Sequence, residues 1–157
     1  MAEQSLAQSH VSEDSTPLPK KILVAVDGSD ESLAAARFAI ELAGKFRAEL
    51  SILHVILIPE YVSEEVRNRL KQDLGSRGEL ALKKVRESIQ GKEIRSREKL
   101  LFTTKSVVTT ICDFAADDGA GLIIIGASGA GGVAKVVLGT VAVGVAREAR
   151  CPVLLVR

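Results

Sequence analysis

Residues Leu122 to Gly132 read LIIIGASGAGG, four apolar residues, three of them β-branched, running without a break into a string of small ones. β-branched side chains suit the pleated backbone, and a run that is apolar at every position reads as a strand covered on both faces. Such strands belong to parallel sheets, where helices carry the chain back across each face. The glycines that follow mark a turn in which the backbone can come close to another group, because no Cβ stands in the way.

Working outward from that junction, the rest of the chain supplies the expected partners. Ahead of it, Val107, Ile111, Phe114 and Ala115 recur at helical spacing. Behind it, a helix is predicted over Thr140 to Ala149, with Ala142, Val145, Ala146 and Ala149 on its packed side; Pro152 then opens a last strand, Val153 to Val156. Glu93 to Thr103 is charged and weakly alternating, as an edge strand is when it must discourage stray pairing. The stripe Val66, Leu70, Leu74, Leu82, Val85 and Ile89 predicts a helix, with a kink or break expected at Gly75 and Gly78. Leu50 to Ile58 (LSILHVILI) reads as a central parallel strand.

Near the amino terminus, Ile22 to Val26 (ILVAV) is a short strand followed at once by Asp27, Gly28 and Ser29. Leu33, Ala36, Ile40, Ala43 and Phe46 then trace one apolar helix face, with Ser29 as its cap and Asp30 and Glu31 favouring the positive end of its dipole. Five strands alternating with four helices imply an α/β fold: an open five-stranded parallel sheet with right-handed crossovers and helices on both faces. Ligands of such folds bind beyond the carboxyl ends of the strands where strand order reverses. The turns after Val26 and after Ile125 compete for that place, and both face one crevice if their strands are neighbours.

Composition narrows the function. The chain has 157 residues, of which 46% are apolar and 26% charged, an ordinary globular balance for one domain. Met1 to Pro19 mix Ser, Gln, Glu and Pro without the apolar run of a secretory signal and are expected to form a disordered tail, with the domain spanning 20–157. Twenty-one Lys+Arg against 20 Asp+Glu leave a formal net charge of +1, without the basic surplus that binds nucleic acid. Only 3% of residues are aromatic and none is Trp, so stacking platforms for single-stranded bases are nearly ruled out too. No stretch approaches the roughly 20 apolar residues of a membrane-spanning helix. Cys112 and Cys151 lack zinc-ligand spacing and neighbours that would activate a thiol, and a reduced, cytoplasmic setting is expected.

Spacing decides among three phosphate-binding patterns for the glycine-rich segment. A Walker A loop requires Lys and a hydroxyl after its last glycine, where this chain has Gly132 and Val133 after Gly131. A permissive dinucleotide fingerprint matches at Gly129, Gly131 and Ala134, but on the fourth strand rather than the first. The third pattern is Gly126-x-x-Gly129, nine residues, then Gly139-Thr140. With KKILVAVDGSDES near the start, LSILHV on the second strand, IIIGASG on the fourth, LGT before the last helix and CPVLLVR at the end, the chain resembles the universal stress protein family, in its ATP-binding form, from Lys20 to Arg157.

That resemblance implies a set of ligand contacts. Gly126, Ser128 and Gly129 would line the ribose and phosphates, and Gly139, Thr140 and Val141 would meet the phosphates at the last helix. Asp27 would face the ribose hydroxyls, Val26 would form part of the pocket floor, and the Val55 main chain would read the adenine edge. The ligand implied is ATP, with Mg²⁺ as its companion; no catalytic residue and no metal cage in the protein are implied. The resemblance also implies a homodimer paired through the last strand. Three departures stand out: Ala142 replaces a hydroxyl found in many binding members, Lys105-Ser106-Val107 replaces a Gly-x-Pro-like turn before the third helix, and Gly121 replaces an acid before the fourth strand.

Plainer explanations exist for several of these residues. Asp27 is also a good turn or capping residue before glycine, and the glycine-rich segment a plain connection. His54, between apolar neighbours, reads as a satisfied core histidine, and Lys135 as a solvated charge. An enzyme of the related nucleotide hydrolase or adenylyl-transfer class needs an SGGxDS or HIGH-type motif, where this chain has DGSDES. A nucleotide-free interaction module of the same fold is the other alternative.

Overall fold

The computed structural model describes residues 17–129 and 137–157. Within them the chain alternates strictly: β1 (Lys21–Ala25), α1 (Asp30–Phe46), β2 (Glu49–Leu57), α2 (Glu64–Ile89), β3 (Ser96–Thr103), α3 (Val107–Asp118), β4 (Leu122–Gly126), α4 (Thr140–Glu148) and β5 (Val153–Val156). The strands form one parallel sheet in the order β3-β2-β1-β4-β5. β3 is an edge strand, as its charges predict. β2 is interior and buried along most of its length, although β1 rather than β2 holds the middle of the sheet.

Two-residue periodicity divides the core. Ile22, Val24, Leu50 and Ile52 face α1 and α2, packing with Ala35, Ala39, Leu82 and Val85. Leu23, Ala25, Leu53, Ile123 and Ile125 face the other way, against Ile111, Ala115 and Val145 of α3 and α4. Each interior strand is thus largely apolar because both its faces are covered, with Ser51 and His54 the buried polar exceptions in β2. α1 approaches closely through small residues, Ala35, Ala36, Ala39 and Ala43, all buried. Two of these, Ala35 and Ala39, lie off the apolar stripe that predicts the helix.

The expected break in α2 does not occur, and the helix runs unbroken for 26 residues. Its glycines are there for contact. A Cβ at Gly78 would stand 2.7 Å from both His54 Cδ2 and Leu100 Cδ1, and one at Gly75 would stand 3.3 Å from Phe102 Cζ. Tertiary packing therefore outweighs a propensity penalty of roughly 1 kcal/mol per glycine. The segment carrying Gly131, Ala134 and Lys135, and most of the expected tail, lie outside the described residues.

Candidate functional site

β1 and β4 are neighbours, with Ala25 opposite Ile125, so the turns leaving both strands flank a single crevice. This is where strand order reverses: from β1 the chain proceeds to β2 on one side, while β4 and β5 are added on the other.

The first turn is held by its own side chains. Asp27 Oδ1 accepts the Ser29 N–H at 2.9 Å, and the Asp27 N–H donates to Ser32 Oγ at 3.2 Å. Ser32 Oγ donates in turn to the Ser29 carbonyl at 3.0 Å, while Ser29 Oγ accepts the Ser32 N–H to cap α1. Gly28 between them has φ +87°, a conformation in which a side chain would be strained. One Asp27 oxygen fixes the turn, and the other, Oδ2, lies on the side of Gly129.

The second turn is tied to the sheet and to α4. Ala127 donates to the Val156 carbonyl at 2.7 Å, and the Gly139 N–H donates to the Ala127 carbonyl at 2.7 Å. Gly126 lies under the first turn of α1, where a Cβ would come within 3.0 Å of the Glu31 carbonyl carbon. Helices α1, α2 and α3 are each capped by a serine side chain, Ser29, Ser63 and Ser106, whereas α4, with Gly139 at its N-cap position, has no side-chain cap among the described residues. The first-turn N–H groups of Thr140, Val141 and Ala142 have no carbonyl partner within a helix and add the positive end of its dipole.

Between the turns is a cavity of about 530 Å³. All nine residues singled out from the sequence line it: Val26, Asp27 and Val55 from the β1 and β2 side, Gly126, Ser128 and Gly129 from the β4 turn, and Gly139, Thr140 and Val141 from the start of α4. Much of its lining is apolar, including Ala25, Val107, Ile111 and Ile125. Among the described residues Asp27 is the one charged side chain in the lining. No group of three His, Cys, Asp or Glu able to hold a metal occurs among the described residues. A largely apolar lining beside glycine turns and a helix N-terminus suits an apolar group joined to an anion.

Sequence reasoning missed Ser32, which is buried and orients Asp27, although Ser29-x-x-Ser32 is a legible capping pattern. It also missed Val107, Ile111 and Leu138, apolar lining residues that carry no motif. His54 is a satisfied core residue: it is 8% exposed, with Nδ1 2.8 Å from the Val26 carbonyl oxygen. No described helix is long and apolar enough to cross a membrane.

The family model for the universal stress protein family matches residues 19–157. A universal stress protein of Bacillus subtilis is 32% identical over 151 residues, which cover 87% of this chain and 98% of that protein. One from Methanocaldococcus jannaschii is 34% identical, covering 89% and 83%. Among solved structures, the universal stress protein UspA from Lactobacillus plantarum superposes with a TM-score of 0.77 at 25% identity, over 88% of this chain and 97% of that one. The universal stress protein from Archaeoglobus fulgidus in complex with dAMP superposes with a TM-score of 0.62 at 26% identity, over 87% and 97%. The family model spans all but the first 18 residues and the fold superposes on that of solved members, and the chain belongs to the universal stress protein family.

Proposed function

We propose that this chain binds ATP in the cavity between β1 and β4, with Mg²⁺ accompanying the phosphates, and acts as a nucleotide-dependent regulatory protein. The observation that carries this is the convergence of Asp27, Gly126, Gly129, Gly139 and Thr140 on one cavity of about 530 Å³ whose lining is otherwise largely apolar. A relative of the same fold, at 26% identity, has been solved in complex with dAMP, an adenine nucleotide.

The cavity's chemistry fits each part of that ligand. The apolar slot at Val55, Val107 and Ile111 takes the base. Asp27 accepts from the ribose hydroxyls as a charge-assisted partner. Gly129 and Gly139 let the main chain approach the phosphates, and the amides at the start of α4 face them. With no carboxylate cage among the described residues, the magnesium is held by the phosphates themselves. A single carboxylate among the described lining residues is a poor set for activating water, so turnover is expected below about 1 s⁻¹, the low end for phosphoryl-transfer enzymes. β5 is an edge strand of half-buried Val153, Leu154, Leu155 and Val156, and pairing it with a second copy in an isologous homodimer would cover it. The cysteines are unbridged, in keeping with a cytoplasmic setting.

Calorimetric titration with Mg-ATP and with AMP tests the reading, together with mass spectrometry of small molecules released on denaturing the purified protein. Saturable binding of one nucleotide per chain is expected. A chain that binds neither is a nucleotide-free interaction module, and steady ATP turnover well above 1 s⁻¹ makes it an enzyme.

A further inference from the structure

The Val26 N–H donates to the Leu53 carbonyl at 2.9 Å, the last rung between β1 and β2 on that side. In a regular parallel ladder the carbonyl of the same residue would next accept from the N–H two positions further along the neighbouring strand, that of Val55. In this structure the Val26 carbonyl oxygen is met by His54 Nδ1 at 2.8 Å. A carbonyl can only accept, so Nδ1 carries the proton.

Two further features are built around this contact. His54 is buried, and its ring occupies the space where α2 carries Gly78: a Cβ there would stand 2.7 Å from Cδ2 and 3.0 Å from Nε2. Val26 and Val55, the residues on either side of the displaced rung, both line the cavity. The imidazole thus lies on the α2 face of the sheet while its hydrogen bond acts at the cavity floor.

We propose that His54 is a positioning residue for the cavity: by holding the Val26 carbonyl it ends the β1–β2 ladder one rung early and leaves the Val55 main-chain N–H to an acceptor on the ligand. This rests on the nucleotide reading above for the identity of that ligand. A purine with an unprotonated in-plane ring nitrogen, such as adenine, supplies the acceptor; guanine presents an N–H at the corresponding edge and is rejected. Base selectivity would then depend on a side chain that never touches the base.

Leu and Asn have the same branching, and the Asn amide nitrogen sits where Nδ1 does, so His54→Leu and His54→Asn differ in the donor. AMP affinity is expected to fall about tenfold in His54→Leu, equivalent to about 1.4 kcal/mol, with reduced preference for AMP over GMP, and to stay within about threefold of wild type in His54→Asn. Amide exchange followed by NMR supplies a readout without ligand: Val55 is expected to exchange freely in the wild type and to become protected in His54→Leu as the ladder closes. Equal AMP affinities in the two variants, or a Val55 amide already protected in the ligand-free wild type, overturn the assignment. A wild-type chain that ignores AMP while its Val55 amide exchanges freely overturns the nucleotide reading and supports His54's effect on the ladder. If His54→Leu does not fold, the wild-type exchange measurement decides alone.

Discussion

Asp27 and Gly129 meet across the two turns of the site: a Cβ on Gly129 would stand 2.8 Å from Asp27 Oδ2, well inside contact distance. The carboxylate and the β4 turn come together only because that position lacks a side chain. Replacing Gly129 by Val therefore displaces the Asp27 carboxylate and fills the path proposed for the phosphates. The variant is expected to fold, since the clash is with the end of a side chain at the cavity. A ligand at 100 times its dissociation constant stabilises a protein by ~2.7 kcal/mol, and in Gly129→Val that stabilisation by Mg-ATP is expected to vanish. An unchanged thermal shift removes Gly129 from the site.

The two glycines of α2 make opposite predictions. Gly→Ala raises helix propensity by roughly 1 kcal/mol in either place. At Gly78 the new methyl collides with His54 and Leu100, both packed, and overpacking of this kind costs about 1–3 kcal/mol. At Gly75 it meets only Phe102 Cζ at 3.3 Å, and Phe102 is 41% exposed and able to move. Urea unfolding should show Gly78→Ala less stable than wild type and Gly75→Ala equal or more stable. The same sign for both would mean that propensity, not packing, decides.

These glycines also mark the limit of what was legible beforehand. Apolar runs such as Leu122–Ile125 and stripes such as Ile40 and Ala43 announce their elements because burial on two faces, or on one, leaves a periodic trace. Strand order leaves none: that β1 lies beside β4 emerges only from long-range pairing, and with it the union of the Asp27 turn and the Gly126 turn. The nine lining residues were readable through the resemblance to a known family, which assigns its contacts by position; residue type alone speaks only for the glycines and Asp27. Val107 and Ile111 were not, since a valine lining a cavity and one in the core look alike. His54 read correctly as buried, but its partner, the Val26 carbonyl, belongs to another strand and has no signature in sequence.

Burial pushes the Cys112 and Cys151 thiols up from their ordinary range, with Glu148 and Asp113 adding to the effect at Cys112. A thiol whose folded pKa lies above its unfolded value favours the unfolded chain once the pH passes that unfolded value, about 8.5. Stability is therefore expected to be flat in this respect near neutrality and to decline above about pH 8.5. Thiolate, not thiol, is the nucleophile, so alkylation of the native protein at pH 7.5 should be slow beside that of the chain unfolded in guanidinium. Rapid native labelling of either cysteine at that pH contradicts the burial argument.

At the opposite end of the sheet, Asp118 closes a polar network at the amino ends of β1, β2 and β3. Its side chain is 7% exposed. It accepts from Ser51 Oγ at 2.7 Å, pairs with Arg97, and lies 3.6 Å from Lys21 Nζ, which also donates to the Asp118 main-chain carbonyl at 2.8 Å. A carboxylate in the last turn of a helix opposes the dipole, so these cations offset an unfavourable position as well as burial. Asp118→Ala leaves Ser51, itself buried, without its acceptor and two cations without their shared partner. The expected loss is about 2–4 kcal/mol, below that of a fully buried pair because Arg97 is half exposed. Arg97→Ala alone should cost less, since Lys21 and Ser51 still hold the carboxylate. Because the network lies at the strand ends away from the cavity, a folded Asp118→Ala protein should bind nucleotide with wild-type affinity. A loss of affinity in step with the loss of stability would tie the two ends of the sheet together and contradict this separation.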